Sequence, residues 1–394
     1  MRLLRNLPFL AVSLGHLSVD LLNGQTGLLL AVLSGPLSLN NQTIGLIATL
    51  YSMVGALGQP VFGWVSDRFG GRWVTAGGVL WMAVFFSLFA IVPGYWPLAF
   101  LVIGSLGSAA FHPPGTTKAT QVGQALWTGR AATAASIFFL FGQAGLSLGP
   151  AVGGLIIDYL NRPGLLILTG LILPIGMFAA RELKTFTGAT ASVKSPALAA
   201  SPPQWTALLI IMLVSGLRVW AQMATTTFAP KYFHDLRMSP TEYGALTAMF
   251  MAGSAVGGVV GAMLGDRWGQ RRMITISLGL SIVPFLFFPL VRSWALYGVV
   301  GFAGALNGAS HSILITMAQK ALPGRAATAS GAIMGFMFAV GAAGVYFSGF
   351  IADQIGLGVI LQGNALISLV AALASLGLLI ELKKMKPAAL LTGD

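Results

Sequence analysis

The chain has 394 residues, of which 56% are hydrophobic and only 8% are charged, and its mean hydropathy is +0.83. Soluble domains carry about 25% charged residues, so this composition excludes a water-soluble protein. The absence of cysteine excludes disulfides and thiolate–metal sites, and the 51 glycines are typical of closely packed membrane helices.

Twelve apolar runs are each long enough for a membrane-spanning helix, which needs about 20 mainly apolar residues. In chain order they cover residues 7–33, 43–66, 73–93, 96–118, 129–157, 164–182, 204–232, 240–265, 272–292, 294–319, 325–352 and 357–381. The sequence therefore predicts an all-α membrane protein with twelve transmembrane helices, numbered as spans 1 to 12.

Span 1 carries Asp20, the only acid near the middle of any span, with His16 one helical turn before it. An ionised side chain at the membrane centre costs at least about 2.5–3.5 kcal/mol, so such a residue faces a cavity or a partner. Because a carboxylate can exchange a proton, we expect Asp20 to carry the coupling proton and His16 to share it. A permanent structural ion pair is the alternative.

Two similar charged motifs follow spans 2 and 8. They read Gly63-x-x-x-Asp67-Arg68-x-Gly70-x-Arg72 and Asp266-Arg267-x-Gly269-x-Arg271. Each is predicted to form a tight turn, which the glycines permit, with the aspartate held by cations and helix ends. We expect the two motifs to act as conformational latches that form in one state and break in another; ordinary topology-fixing loops are the alternative.

Span 5 contains Gly145, Gly149 and Gly153 at intervals of four, with Pro150 and Gly154 beside them. Residues four apart share one helix face, so this spacing predicts a smooth seam for a neighbouring helix. Pro150 is expected to bend the helix locally.

Span 7 carries the second mid-span charge, Arg218, at a depth similar to that of Asp20 in span 1. Arginine keeps its charge, so Arg218 is predicted to be a fixed cation that binds either Asp20 or an anionic substrate. Further polar residues are predicted to line a substrate cavity: Asn23, Gln25, His112, Gln143, Gln222, Asn307 and His311. For His112 and His311, helix-end capping is the alternative.

The two halves of the chain repeat each other. GRAATA occurs at 129–134 and 324–329, the charged motif recurs after 199 residues, and His112 in span 4 matches His311 in span 10. Repeats of this kind are typical of transporters with a central site. We predict two pseudo-symmetric six-helix bundles, residues 1–182 and 204–394, joined by a polar linker at 183–203.

Most cations lie on one side of the predicted membrane. Of the 22 Lys and Arg, 17 lie on the side that holds the two termini, the linker and the loops after the even-numbered spans. Four lie on the other side, and Arg218 is within a span. The positive-inside rule then places both termini and the linker in the cytoplasm. Membrane topology and contact with anionic lipid thereby explain the net charge of +12, and no nucleic-acid partner is needed to account for it.

Over its whole length the chain resembles the major facilitator superfamily, whose signature loops between helices 2 and 3 and between helices 8 and 9 match the two charged motifs. The resemblance implies alternating access by two six-helix bundles. The glycine seam of span 5 is similar to the antiporter motif of drug–proton exchangers, which implies export rather than import. Those exchangers usually carry an arginine midway along helix 4, and span 4 has none.

A closer resemblance is to the fosmidomycin resistance proteins, a bacterial branch of the drug exporters. It rests on His16-x-x-x-Asp20, on Gln59-Pro60 and on Phe111-His112-Pro113. It implies proton-driven export of a small phosphonate across the inner membrane. The acidic residue usual after His-Pro in that branch is replaced by Pro114.

Other functions remain open at this point. Proton symport that imports an organic acid or a sugar, and lipid flipping by the same fold, are alternative transporter functions. A membrane enzyme is disfavoured because no nucleophile–base motif or metal cluster stands out among four histidines and ten acids. We expect a monomer that needs no cofactor or metal and that interacts with a small-molecule substrate, protons and membrane lipid.

The topology can be tested by cysteine labelling, because every introduced cysteine is the only one in the chain. In sealed right-side-out vesicles, Ser195→Cys in the linker should resist an impermeant maleimide, and Ser293→Cys in the loop after span 9 should react. Strong labelling of Ser195→Cys in intact vesicles would contradict the orientation.

Overall fold

The computed structural model describes residues 3–126, 131–184, 204–322 and 326–385. Apart from one 3-10 turn (Arg162–Gly164), its regular elements are fourteen α-helices. They are α1 (Leu7–Asn23), α2 (Thr26–Ser34), α3 (Asn41–Phe69), α4 (Gly71–Ile91), α5 (Trp96–Leu126), α6 (Ala131–Leu160), α7 (Leu165–Glu182), α8 (Trp205–Asp235), α9 (Pro240–Trp268), α10 (Gln270–Phe287), α11 (Ala295–Gly308), α12 (His311–Ala321), α13 (Ala326–Ile355) and α14 (Leu357–Met385).

The helices match the predicted spans in order, and the all-α membrane fold is confirmed. Eleven segments of the described chain are long and apolar enough to cross a membrane, with α1 and α2 counted as one and α11 and α12 as another. The remaining predicted span, 272–292, is represented by α10, which has 18 residues and begins with Gln270, Arg271 and Arg272. Its apolar stretch is therefore shorter than expected.

Spans 1 and 10 are interrupted, and the predicted spans did not include these breaks, although both fall at glycine and polar residues. Span 1 breaks between Asn23 and Thr26, and span 10 breaks between Gly308 and His311. Both breaks adjoin residues predicted to be functional. A broken transmembrane helix is tolerated where it is buried in protein or lines a cavity.

Large apolar side chains cover much of the outer surface, among them Leu57, Trp64, Leu171, Val256 and Leu373. A soluble protein rarely exposes apolar patches of this extent. Lipid is the solvent that suits this surface, so the chain is a multi-pass membrane protein.

The glycine seam of span 5 packs α6 directly against α1. A Cβ at Gly145 or Gly149 would overlap the backbone of Leu17 or Leu21, and one at Gly153 would overlap the side chain of Gln25. All three glycines are buried. The small residues thus permit backbone contact, as such seams do in membranes.

The described chain forms two compact units. Unit 1 comprises Met1–Ser192 with Thr227–Ala248, and unit 2 comprises Val193–Thr226 with Met249–Asp394. The segment Thr227–Ala248 packs with unit 1 partly because Gly154 and Gly244 allow α6 and α9 to approach each other's backbone. The predicted linker lies outside the described residues except for Leu183 and Lys184, as do parts of both GRAATA repeats.

Candidate functional site

Asp20 lies in unit 1 between two histidines. Its Oδ2 is 3.2 Å from Nε2 of His16, one turn earlier on α1, and its Oδ1 is 3.4 Å from Nε2 of His112 on α5. Only 8% of the Asp20 side chain and 3% of His16 are exposed, whereas 22% of His112 is. The carboxylate is therefore enclosed and His112 is the member open to its surroundings. We call these three residues the unit 1 cluster.

Both histidine rings are held by backbone carbonyls. Nδ1 of His16 lies 2.8 Å from the carbonyl oxygen of Phe138 on α6, and the ring stacks on the Phe138 ring with centroids 4.1 Å apart. Nδ1 of His112 lies 2.8 Å from the carbonyl oxygen of Ser108. A carbonyl oxygen can only accept, so each Nδ1 carries a hydrogen and each Nε2 faces Asp20.

A chain of hydrogen bonds connects Asp20 to α3. Asn23 donates from Nδ2 to Oδ1 of Asp20 at 2.8 Å and to Oγ of Ser108 at 3.0 Å. Its Oδ1 accepts a 2.5 Å hydrogen bond from the hydroxyl of Tyr51. Asn23 was predicted to line a substrate cavity, which stays a prediction; in the structure its amide also holds the Asp20 carboxylate. Tyr51 and Ser108 were not predicted, because nothing in a single sequence relates them to Asp20.

Gly142 on α6 makes room for the unit 1 cluster. A Cβ at this position would lie 2.7 Å from Oδ2 of Asp20 and closer still to Nε2 of His16. Gly142 precedes the predicted glycine seam by three residues and was not singled out from the sequence. Its role is visible only once α6 is placed against α1.

The ligand atoms of His16, Asp20 and His112 all lie within 4.8 Å of one another, a spacing that one cation would also tolerate. The sequence offered no such cluster, since the three residues span almost a hundred positions. That the chain uses no metal stays a prediction.

Unit 2 contains a matching arrangement around Arg218 on α8. Its Nη1 donates to Oδ1 of Asn307 at 3.1 Å and to the carbonyl oxygen of the same residue at 3.3 Å, while Nδ2 of Asn307 donates back to the Arg218 carbonyl. Its Nη2 lies 3.1 Å from Nδ1 of His311, the first residue of α12. A guanidinium only donates, so Nδ1 of His311 accepts and the ring is neutral with hydrogen on Nε2. We call these three residues the unit 2 cluster.

Arg218 is only 3% exposed, and within the described part of unit 2 no carboxylate forms an ion pair with it. Its Nε has no hydrogen-bond partner among the described residues. A buried charge held by neutral partners alone is costly. An anion that binds here would therefore gain both a counter-charge and a free donor.

The two clusters are related by the sequence repeat. Asp20 and Arg218 occupy spans 1 and 7, and His112 and His311 occupy spans 4 and 10, with offsets of 198 and 199 residues. Each unit thus combines one charged residue with one histidine from its fourth span. The arginine that drug exporters usually carry in helix 4 has no equivalent, and His112 supplies the positively chargeable group opposite the acid.

The remaining predicted cavity residues lie apart from these clusters. Gln25 is fully buried, donates to the Leu21 carbonyl at 2.9 Å and packs against Gly153. Gln143 is exposed, and Gln222 is half-buried with its amide 3.9 Å from the sulfur of Met251. Their role in a substrate cavity stays a prediction.

The glycines of the two loop motifs adopt the backbone conformation that the turn requires. Gly70 has φ +93° and Gly269 has φ +99°, a region that side-chain-bearing residues rarely adopt. The last arginine of each motif then reaches a carbonyl of a distant helix: Nε of Arg72 donates to the Ala180 carbonyl at 2.6 Å, and Nη1 of Arg271 donates to the Leu378 carbonyl. Ala180 lies in the last turn of α7, where carbonyls lack helical partners, whereas Leu378 lies within α14.

The aspartates of these motifs are exposed, as are Arg68 and Arg267, while Gly63 is half-buried. Asp266 accepts a 3.3 Å hydrogen bond from Gln270, whose Oε1 accepts one from Lys320 at 3.2 Å. A cavity of about 520 Å³ in unit 2 adjoins these side chains and Arg271. In the described chain, the second motif is thus joined to the end of α12 by polar contacts.

The sequence matches the Major Facilitator Superfamily profile over residues 9–234 and 208–391. It is 26% identical over 380 residues to the fosmidomycin resistance protein of Escherichia coli (strain K12), covering 92% of this chain and 90% of that protein. It is 28% identical over 340 residues to the multidrug efflux pump Tap of Mycolicibacterium fortuitum, covering 79% and 78%. The fold is similar to a mutant of the nucleoside transporter NupG, with a TM-score of 0.76, 17% identity and coverage of 94% and 99%.

The fit at Gly142 generates a prediction. Gly142→Ala adds one methyl group against His16 and Asp20, and overpacking of this kind costs about 1–3 kcal/mol. We expect a lower unfolding temperature in detergent, with the His16 ring and the Asp20 carboxylate displaced. Gly170→Ala is the matched control, because a Cβ there meets nothing within 4 Å. Equal unfolding temperatures for the two variants would show that the cluster does not depend on this close approach.

Proposed function

This chain belongs to the Major Facilitator Superfamily, and we propose that it is a proton-coupled antiporter that exports a small anionic compound by alternating access. We place it in the bacterial inner membrane with both termini in the cytoplasm, and assign residues 1–182 and 204–394 to the two moving bundles. The transported compound is unchanged in this proposal, so the chain acts as a transporter and not as an enzyme.

One observation carries the proposal: the two repeats hold opposite charges in equivalent places. The unit 1 cluster offers a carboxylate and two histidines, which bind and release protons. The unit 2 cluster offers Arg218, a permanent cation without a carboxylate partner in the described part of its unit. A proton site and an anion site are the two elements that exchange of an anion for protons requires.

Export rather than uptake is supported by two further features. The seam formed by Gly145, Gly149 and Gly153 with Pro150 and Gly154 resembles the antiporter motif of drug–proton exchangers. The relatives at 26% and 28% identity include a fosmidomycin resistance protein and a multidrug efflux pump. A phosphonate such as fosmidomycin is an anion, and it suits the donors of Arg218.

The proposed cycle uses these groups in turn. From the cytoplasm, the anion binds through the guanidinium of Arg218, with Asn307 and His311 holding that guanidinium in place. After the cavity reorients and the anion leaves, protons enter at the contacts between Asp20 and the Nε2 atoms of His16 and His112. Their release into the cytoplasm then resets the site for the next anion.

We further propose that the motifs around Asp67 and Asp266 are the latches of this cycle. In unit 2 the contacts from Asp266 through Gln270 to Lys320 lie at the surface, with Asp266 and Lys320 exposed and Gln270 half-buried. Exposed polar contacts contribute little stability each, so they can form and break as helices move.

Proton coupling at Asp20 can be tested by neutralisation. Asp20→Asn removes the carboxylate with almost no change in volume, so proton-gradient-driven flux in proteoliposomes should fall to the level of empty vesicles while substrate binding persists. Asp235→Asn is the control, since Asp235 is an exposed acid paired with Lys231 in the same unit. A compound screen that starts with fosmidomycin supplies the substrate.

Two results would count against this mechanism. Full gradient-driven flux in Asp20→Asn would move the coupling site elsewhere. Lower accumulation of the substrate in energised cells after collapse of the proton gradient would favour symport, because an exporter predicts higher accumulation.

The anion site can be tested at Arg218. Arg218→Gln keeps hydrogen-bonding groups but removes the charge, and a hydrogen bond to a charged group contributes about 1.5–3 kcal/mol. Substrate affinity of the purified protein should therefore fall about tenfold to a hundredfold. Arg237→Gln, at a position between α8 and α9, is the control and should bind normally. Normal binding by Arg218→Gln would assign Arg218 a purely structural role.

A further inference from the structure

In the unit 1 cluster, each histidine can exchange a proton at only one of its two ring nitrogens. The carbonyl oxygens of Phe138 and Ser108 occupy both Nδ1 atoms at 2.8 Å, so those two hydrogens stay in place. Each ring can gain or lose a proton only at Nε2. Both Nε2 atoms face the same carboxylate, one at each of its oxygens.

Counting hydrogens at these contacts gives the proton content of the cluster. A nitrogen lone pair and a carboxylate oxygen both only accept, so each of the two contacts needs one hydrogen between its atoms. Two protons satisfy both contacts, either as two imidazolium rings with an ionised Asp20 or as one imidazolium ring with a protonated Asp20. With both protons the cluster has net charge +1, and with neither it has −1.

Among the described residues, the groups around the cluster supply no further proton or charge that would alter this count. Asn23 donates to Oδ1 of Asp20 with its amide, which does not titrate, and the hydroxyl of Tyr51 on α3 already donates to Asn23. From α6, the closest approaches are the Phe138 carbonyl and the backbone at Gly142. On α5, Ser108 accepts from Asn23. The proton count of the unit 1 cluster therefore depends on His16, Asp20 and His112 alone.

We propose that this cluster binds two protons together and that His112 is a proton-coupling residue rather than a substrate-cavity residue. This inference rests on the proposed antiport function and assigns its stoichiometry: two protons enter for each anion exported. Each proton enters at one Nε2 to carboxylate contact and leaves from the same nitrogen. Loss of both leaves two lone pairs directed at an ionised carboxylate, a repulsion that opens the contacts and ties proton release to movement of α5 against α1.

The proton count can be measured without a substrate. The full chain, labelled with nitrogen-15 histidine and placed in lipid nanodiscs with a chelator present, should give four resolved histidines, assigned by His16→Gln, His112→Gln, His234→Gln and His311→Gln. At mildly acidic pH we expect His16 and His112 to be imidazolium, or one imidazolium together with an infrared band of protonated Asp20 that Asp20→Asn abolishes. His311 should be neutral with hydrogen on Nε2.

The variants separate this inference from simple histidine titration. Asp20→Asn removes the carboxylate that both contacts share, so the two-proton signature of the cluster should be lost, and His112→Gln should leave a single proton shared by Asp20 and His16. His234, which is half-exposed beside Asp235, should give the same spectrum as in wild type in both variants.

One proton on the wild-type cluster throughout the acidic range, or a two-proton signature that persists in Asp20→Asn, would overturn the two-proton inference. Neither result would contradict the proposed antiport. The antiport mechanism is contradicted if Asp20→Asn retains gradient-driven flux, whatever the proton count.

Discussion

The cost of an ionised side chain in hydrocarbon is the constraint on which this structure depends. Only two charges lie in mid-span, Asp20 and Arg218, and each is enclosed by polar groups from another helix. Such groups can be supplied only by a fold in which spans 1 and 4, and spans 7 and 10, are neighbours. The glycine seam that brings α6 against α1, and Gly142 beside it, provide the space that the unit 1 cluster needs.

The two repeats meet this constraint in opposite ways. Around Asp20 the partners are ionisable, so the total charge of the unit 1 cluster can change as protons are gained or lost. Around Arg218 the partners are an amide and a neutral imidazole, so the charge is fixed and a donor stays open. One architecture, duplicated, therefore holds a carboxylate among ionisable partners in one unit and a guanidinium among neutral partners in the other.

Much of this could be predicted from the sequence, because hydropathy, charge position and repeats are properties of the chain alone. The spans, the two mid-span charges, the pairing of His16 with Asp20 and the turn glycines all follow from local spacing. The position of His112 opposite Asp20, and of Asn307 and His311 around Arg218, depends on contacts between spans, which a single sequence does not specify. For the same reason Tyr51, Ser108 and Gly142 were missed. The interruptions of spans 1 and 10 were also missed, although each coincides with a glycine among polar residues, at 23–26 and 307–311.

The arginine contacts of the two loop motifs also bear on how the protein is made. Arg72 bonds a carbonyl 108 residues further along the chain, and Arg271 bonds one 107 residues further along. Neither contact can form until the sixth span of its own repeat has left the ribosome, and neither needs the other repeat. Because domains generally fold as units, starting at the N-terminus during synthesis, each contact closes a finished half. Each arginine is thus translated before the middle of its repeat, but its carbonyl partner does not exist until the last span of that repeat has been made.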